Sequence, residues 1–359
     1  MSLSHLEVSQ FRNLHQVSIE PDAELNIITG CNAAGKTSLL ESIFYLSYGR
    51  SFRQGQYRDL IMNDHDYFRL VSKVNHKQQL SSIGIQRGSK EQLIRINQQT
   101  ITRLSDLSFL LPVIALHPDS HQLITAGPEN RRHFMDWGLF HVEQSFFQVW
   151  KNYRKALSQR NAALRSHQDD SFCSLWSQAL VENAQKIDQF RCHYLQKLND
   201  RLVIFAQQIF PDSIVSLEYK KGWAEDVSYQ SHLEKNLYRD REKGFTQSGP
   251  HRSDIKIKLD NQSAQTAISR GQQKKLVALL RLAQMDLFSE HTDRRCVLIY
   301  DDLPAELDAD NRRILMQILA GMKVQLFVTA IEAEQLDYSH YSSAKMFHVE
   351  HGAVSQINS

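Results

Sequence analysis

The apolar positions fall into blocks whose period changes along the chain. Residues 2–30 read as strands: LSHLEVSQF, a polar turn at Arg12 and Asn13, VSIE, a second turn at Pro21 and Asp22, and the run LNIIT, read as buried, ending at Gly30. At Lys36 the period becomes helical, and Leu39, Leu40, Ile43, Phe44 and Leu46 follow it as far as Tyr48. Strand, glycine-containing loop and helix therefore follow one another directly. Further along, Trp150, Tyr153, Leu157 and Leu164 fall within about 60° of arc at about 100° per residue, the apolar stripe of a helix. A second helical pattern runs over 175–205 and must stop by Pro211, so two long helices are predicted to pack together. Strand character returns over 255–259, helix over 271–287, and a short buried strand at Cys296 to Tyr300. Mixed α/β ends around a helical middle predict one α/β domain, made of residues 1–130 and 245–359, interrupted by a mainly helical lobe at 131–244.

Composition narrows the class. A chain of 359 residues, 42% hydrophobic, is long enough for about two domains with substantial cores, which excludes wholesale disorder. Its longest apolar run, Phe109 to Leu116, is broken by Pro112 and falls well short of the roughly 18 residues a membrane span needs, so no membrane partner is expected. The opening MSLSHLEVSQ has no basic or apolar leader character, and Cys31, Cys173, Cys192 and Cys296 form no CxxC pair. A reduced, cytoplasmic setting is expected, with Cys31 structural. Forty-two basic against 40 acidic residues give a net charge of +2, so any polyanion must be held by locally grouped cations. His117 and His121 are spaced for a helical metal site, but Pro118 between them disfavours that helix, and no metal beyond Mg²⁺ is expected.

The loop Gly30-Cys31-Asn32-Ala33-Ala34-Gly35-Lys36-Thr37 fits G-x-x-x-x-G-K-[ST], in which backbone N–H groups cradle phosphates, the lysine reaches the β- and γ-oxygens, and the hydroxyl meets Mg²⁺. The helix that begins near Lys36 adds the partial positive charge of its N-terminus. Backbone donors, Lys36 and a helix end thus converge on one triphosphate. The second half supplies the matching acids, because the Cys296–Tyr300 strand runs into Asp301 and Asp302. Asp301 suits the metal through its water shell, and Asp302 the attacking water.

Between these motifs, Ser269-Arg270-Gly271-Gln272 at the start of a predicted helix resembles the signature loop of ABC-type ATPases. Ala305-Glu306-Leu307-Asp308 is similar to their D-loop, and Thr329 ends a strand where their switch residue stands. The resemblance implies head-to-tail pairing of two heads on ATP, with Ser269 of one capping the γ-phosphate held by the other. It also groups Lys36, Asp301, Asp302, Ser269 and Thr329 as the catalytic set. The separation of Lys36 from Ser269 is longer than a transporter ATPase usually has and far too short for the arms of SMC-type chromosome proteins.

Further stretches resemble the RecF family of bacterial recombination mediators over essentially the whole length: Phe11-Arg12-Asn13-Leu14, Gly49-Arg50-Ser51-Phe52-Arg53, the run Gly127 to Asp136 containing Arg131 and Arg132, and Gly249-Pro250-His251-Arg252. That resemblance implies an ATP- and Mg²⁺-dependent protein that binds single-stranded, gapped or junction DNA, dimerises on ATP, and is released by weak, DNA-dependent hydrolysis. It implies service in repair, replication restart, recombinase loading and SOS induction, near the nucleoid, with a RecR-type partner. Arg12, Asn13, Ser38, Gly271 and Gln272 join the loop residues as nucleotide-binding positions. The DNA candidates are Lys151, Arg154, Lys155 and Arg165 on one helical face, Arg50 and Arg53, Arg131 and Arg132, and Lys274 and Lys275 after the signature; a basic helical face is more often simply solvated. Four positions depart from the patterns, among them Thr329, which stands where transporters have a histidine. Ala33 replaces a glycine, tolerable if its φ stays negative; Ala305 replaces a serine; Asp302 is one methylene shorter than the glutamate of transporters, which predicts turnover well below the median of about 10 s⁻¹. A transporter subunit and an SMC-like architectural protein are the alternative readings.

Overall fold

A strand buried on both faces is expected to be largely apolar, and all of Leu25–Thr29 is buried, its polar Asn26 and Thr29 being hydrogen-bonded to backbone carbonyls. In the computed structural model, which describes residues 2–357 apart from 54, 77, 78, 90 and 167–169, it lies inside a six-stranded sheet. The order there is Ala353–Ile357, Ala344–Glu350, Leu25–Thr29, Val324–Thr329, Cys296–Tyr300, Val113–Leu116. All neighbours are parallel except the terminal hairpin formed by the first two. The second sheet of this unit is antiparallel throughout, Leu14–Ile19, Ser2–Phe11, Tyr67–His76, Gln79–Gly88, Gln92–Ile96 and Gln99–Thr100 in that order. Leu3, Leu6, Val8 and Phe11 of its Ser2–Phe11 strand are fully buried.

The Lys36–Tyr48 helix spans the predicted range, and Gly49, left-handed at φ 63, stops it by bonding back to Tyr45. Its Leu39, Leu40, Ile43 and Leu46 belong to one core that also holds Phe11 and Val8 of the antiparallel sheet and Ile28, Val297, Ile299 and Phe327 of the parallel one. These elements form one compact unit, Met1–Ser120 with Lys274–Ser359.

His121–Gln273 form the second compact unit, wider than the expected lobe at both ends. Its helices Phe146–Arg165 and Asp170–Ile209 pack on each other with Tyr153, Leu157 and Leu164 inside, while Lys151, Arg154, Lys155 and Arg165 remain exposed. A three-stranded antiparallel sheet of Val215–Lys220, Asp254–Leu259 and Gln262–Ser263 belongs to the same unit. Charges are paired inside it. Arg160 bonds Asp240 at 2.8 Å with both side chains 1% exposed, and Arg191 bonds Asp136, the Pro250 carbonyl and Ser253, each at 2.7 Å. The stretch Gly249 to Arg252 closes this network, because a Cβ on Gly249 would stand 2.4 Å from the Tyr229 hydroxyl and 2.6 Å from that of Tyr153.

Candidate functional site

The phosphate loop leaves the buried Leu25–Thr29 strand at Gly30 and enters the helix at Lys36. Two glycines make the turn possible. Gly30 has φ 140 and Gly35 φ 123, and a Cβ on Gly30 would lie 2.2 Å from the Val349 carbonyl oxygen. The loop is pinned from three sides: Gly30 N–H donates to the Ile331 carbonyl, Gly352 N–H donates to that of Ala34, and the Asn13 amide donates to the carbonyls of Ala33 and Ala34. Ser38 donates to Asn13 in turn at 2.8 Å, so Asn13 braces the loop from below.

Ala33 takes φ 63, so the condition of a negative φ is not met. An alanine in the left-handed region costs about 1–2 kcal/mol, which the braces on either side must offset.

Lys36 is nine-tenths buried, and its ammonium donates to the carbonyls of Gly30 at 2.6 Å and Cys31 at 2.9 Å, curled over its own loop. Gly35 carries no side chain to cap the helix, which leaves the first-turn N–H groups open to an anion. Thr37 Oγ1 donates to Asp301 Oδ1 at 3.0 Å, and Thr329 Oγ1 donates to the same oxygen at 2.9 Å. The Asp302 N–H donates to Thr329 Oγ1 at 2.7 Å, so the fully buried Thr329 ties both acids together. Burial pushes the Asp301 carboxyl above its ordinary range, and the two hydroxyls pull it back. Asp302 sits left-handed at φ 57, which swings its side chain out of the strand line.

Asn13, Asn32, Ala33, Gly35, Lys36, Thr37, Ser38, Asp301, Asp302 and Thr329 thereby line one cavity of about 360 Å³, together with Arg53. Arg53, read from the sequence as a DNA cation, is exposed and also lines this cavity. Its guanidinium stands 3.7 Å from Glu41, a fully buried carboxylate that also takes two bonds from Arg12 at 3.0 and 2.8 Å and one from Ser51. Arg12, committed to Glu41 and the Asp59 carbonyl, does not line the cavity as expected; it holds the turn that carries Asn13. Glu41 escapes sequence reasoning because it lies on the polar side of a helix pattern, and nothing in the pattern signals partners from two separate loops.

Ser269, Gly271 and Gln272 lie in the second unit and are not among the cavity's lining residues. Ser269 and Gln272 cap each other at the start of helix Arg270–Thr292: Gln272 N–H donates to Ser269 Oγ at 3.3 Å, and Ser269 N–H donates to Gln272 Oε1 at 2.9 Å. Ser269, Arg270 and Gly271 are exposed. Ala305 is exposed on the short helix Leu303–Glu306, whose Glu306 pairs with Lys274 at 2.9 Å.

The basic candidates divide. Lys151, Arg154, Lys155, Arg165 and Arg50 are exposed, whereas Arg131 is buried. Its guanidinium is spent on Asp254 at 2.7 and 3.1 Å and on the carbonyls of Ile124 and Ala126, which removes it from the DNA candidates. Arg132 is half-buried and donates to the Ser253 carbonyl at 2.9 Å.

Residues 2–355 match the family model described as the RecF/RecN/SMC N-terminal domain. A protein of Shewanella piezotolerans named DNA replication and repair protein RecF is 39% identical over 359 residues, covering 99% of this chain and 100% of that one. One of the same name from Thioalkalivibrio sulfidiphilus is 41% identical over 356 residues, with 99% of each covered. Among solved structures, the recombination mediator protein RecF with ATP is similar with a TM-score of 0.87 at 25% identity, covering 99% of this chain and 98% of that one. The Smc head domain of Pyrococcus furiosus shares the fold at a TM-score of 0.63 and 13% identity. A phosphate loop, an acid-tipped strand one place removed in the same sheet, and a mixed α/β unit whose chain is interrupted by a largely helical lobe agree with these likenesses, and the chain belongs to the RecF family.

Proposed function

We propose that this chain is an ATP-dependent DNA-binding protein of replication and repair, in which ATP joins two copies and slow hydrolysis separates them. One observation carries the reading: Lys36, Thr37, Asp301 and Asp302 converge on a single cavity from two strand ends far apart in sequence. Such convergence suits a triphosphate, with Lys36 released from its own carbonyls to meet phosphate oxygens.

The residues present fit Mg²⁺. Thr37 and Asp301 bring a hydroxyl and a carboxylate within 3.0 Å of each other, hard oxygen donors of the kind this ion takes. When bound, the ion would neutralise charge on the β- and γ-phosphates. Thr329 fixes the rotamer of Asp301 and the backbone of Asp302, and Asp302 orients the attacking water. Arg53 adds positive charge at the mouth.

The exposed, self-capped turn at Ser269 is the element expected to meet the γ-phosphate held by a second copy. The relatives named for DNA replication and repair, and the solved structure described in the RecFOR pathway, support DNA as the ligand and a RecR-type partner in the cytoplasm. Weak, DNA-dependent hydrolysis, preference for gapped or single-stranded DNA, recombinase loading and SOS support belong to the same reading.

Sedimentation with ATP and Mg²⁺ tests it. The expected outcome is a shift from monomer to dimer that depends on protein concentration and is lost in Lys36→Met. An unchanged mass with and without nucleotide at every concentration would overturn the pairing.

A further inference from the structure

The antiparallel ribbon of Val215–Lys220 and Asp254–Leu259 separates its side chains by face. Register pairs Asp254 with Lys220, Lys256 with Glu218 and Lys258 with Ser216, so these six share one side. The other side carries the buried Val215, Ile255, Ile257 and Leu259.

The polar side is positive and out of balance. Glu218 is taken by Lys258 at 2.6 Å, and the Asp254 carboxylate is taken by Arg131 at 2.7 and 3.1 Å. Lys220 and Lys256 are both exposed, and neither makes an ion pair among the described residues. They also crowd each other: direct side-chain contact with Lys220, and then its charge, lowers the Lys256 ammonium below its ordinary range. Two like charges held together on a rigid ribbon cost free energy unless an anion lies against both.

We propose that this face is a contact for the phosphodiester backbone of a nucleic acid, with Lys220 and Lys256 as its cations and Lys258 occupied by its ion pair with Glu218. The proposal rests on the DNA-binding reading above and assigns that ligand to a surface separate from the nucleotide cavity. Lys220 and Lys256 are diagonal neighbours across the two strands, about 7–8 Å apart at the backbone, so one phosphodiester chain laid across the ribbon can meet both. A lipid surface fits less well, because a face that settles into a membrane needs apolar side chains beside its cations, and this one presents Ser216 and Glu218 instead.

The test is anisotropy of a labelled single-stranded oligonucleotide titrated with the full-length protein plus ATP across a salt series. Lys220→Gln/Lys256→Gln is compared with wild type, and binding of a fluorescent ATP analogue checks that the nucleotide cavity is intact. Each lost phosphate contact lowers the slope of log affinity against log salt by about 0.7, so the double variant should lose about 1.4 and bind on the order of 10-fold weaker or more. Glu218→Gln, which frees Lys258, should steepen the slope by up to about 0.7, a gain that misfolding does not produce. If wild type binds and the double variant keeps the wild-type slope, the ribbon assignment is wrong while the DNA reading stands. If wild type shows no salt-dependent DNA binding, or binds anionic phosphatidylserine vesicles in its place, both fall.

Discussion

Acidification should loosen the second unit through His251. The ring is largely buried; its Nε2 donates to the Thr246 carbonyl at 3.1 Å, which leaves Nδ1 to accept from the Tyr153 hydroxyl at 2.6 Å. Both nitrogens are satisfied in the neutral form. Burial first, and then the charges of Arg252, Arg132 and Arg154, push its pKa down to about 4 against the opposing pull of the Thr246 carbonyl. Unfolded, the same ring takes its proton near the ordinary value of about 6.5. Between those values the unfolded chain binds more protons, so this stabilising contribution is present above about pH 6.5 and is lost as pH falls towards 4. From about pH 7.5 to about pH 4.5 the loss amounts to about 2–3 kcal/mol, because each pH unit crossed between the two values removes roughly 1.4 kcal/mol. All four tryptophans, Trp137, Trp150, Trp176 and Trp223, lie in this unit, so their fluorescence during urea unfolding reports on it selectively. The informative quantity is the difference in unfolding free energy between wild type and His251→Gln, in which the titrations of other groups largely cancel. That difference should shrink by about 2–3 kcal/mol across the pH range. A flat difference would refute the account of the buried neutral ring.

Arg160→Met strands the Asp240 carboxylate, with both side chains 1% exposed, and should cost about 3–5 kcal/mol in the same urea assay. Thr329→Val removes one donor from Asp301 and the acceptor of the Asp302 N–H; a loss of about 2–4 kcal/mol and faster hydrogen exchange at the Asp302 amide are expected, with Thr329→Ser close to wild type. Asp302→Asn should bind ATP normally while phosphate release slows by on the order of 10²-fold or more. Lys36→Met should lose ATP binding outright in equilibrium titration, because no other lysine among the described residues lines the cavity.

Much of the first unit is legible in the sequence for one physical reason. Parallel strands buried on both faces write predominantly apolar runs, so Leu25–Thr29 and Cys296–Tyr300 are found to the residue, and the glycines of the phosphate loop mark where the helix begins. Positions whose meaning depends on a distant partner are not legible. Arg131 reads as a surface cation because Asp254, which buries it, lies 123 residues away. Arg53 reads the same way until Glu41 and the cavity are seen beside it. The φ of Ala33 is set by Asn13 and Gly352, neither a sequence neighbour. The lobe's edges carry no shift in composition, and its extra segments, 121–130 and 245–273, pack by shape and charge pairing that no local pattern announces.

The braces on the phosphate loop also bear on the order in which the protein matures. Ala34 is fastened by Gly352, Gly30 by Ile331, and Thr37 by Asp301, all contributed by the last sixth of the chain. During synthesis, a nascent polypeptide that has already exposed Lys36 at the ribosome still lacks every one of those fasteners. A complete cradle for a triphosphate therefore exists only at the end of translation, after the lobe has emerged, and half-made chains lack it.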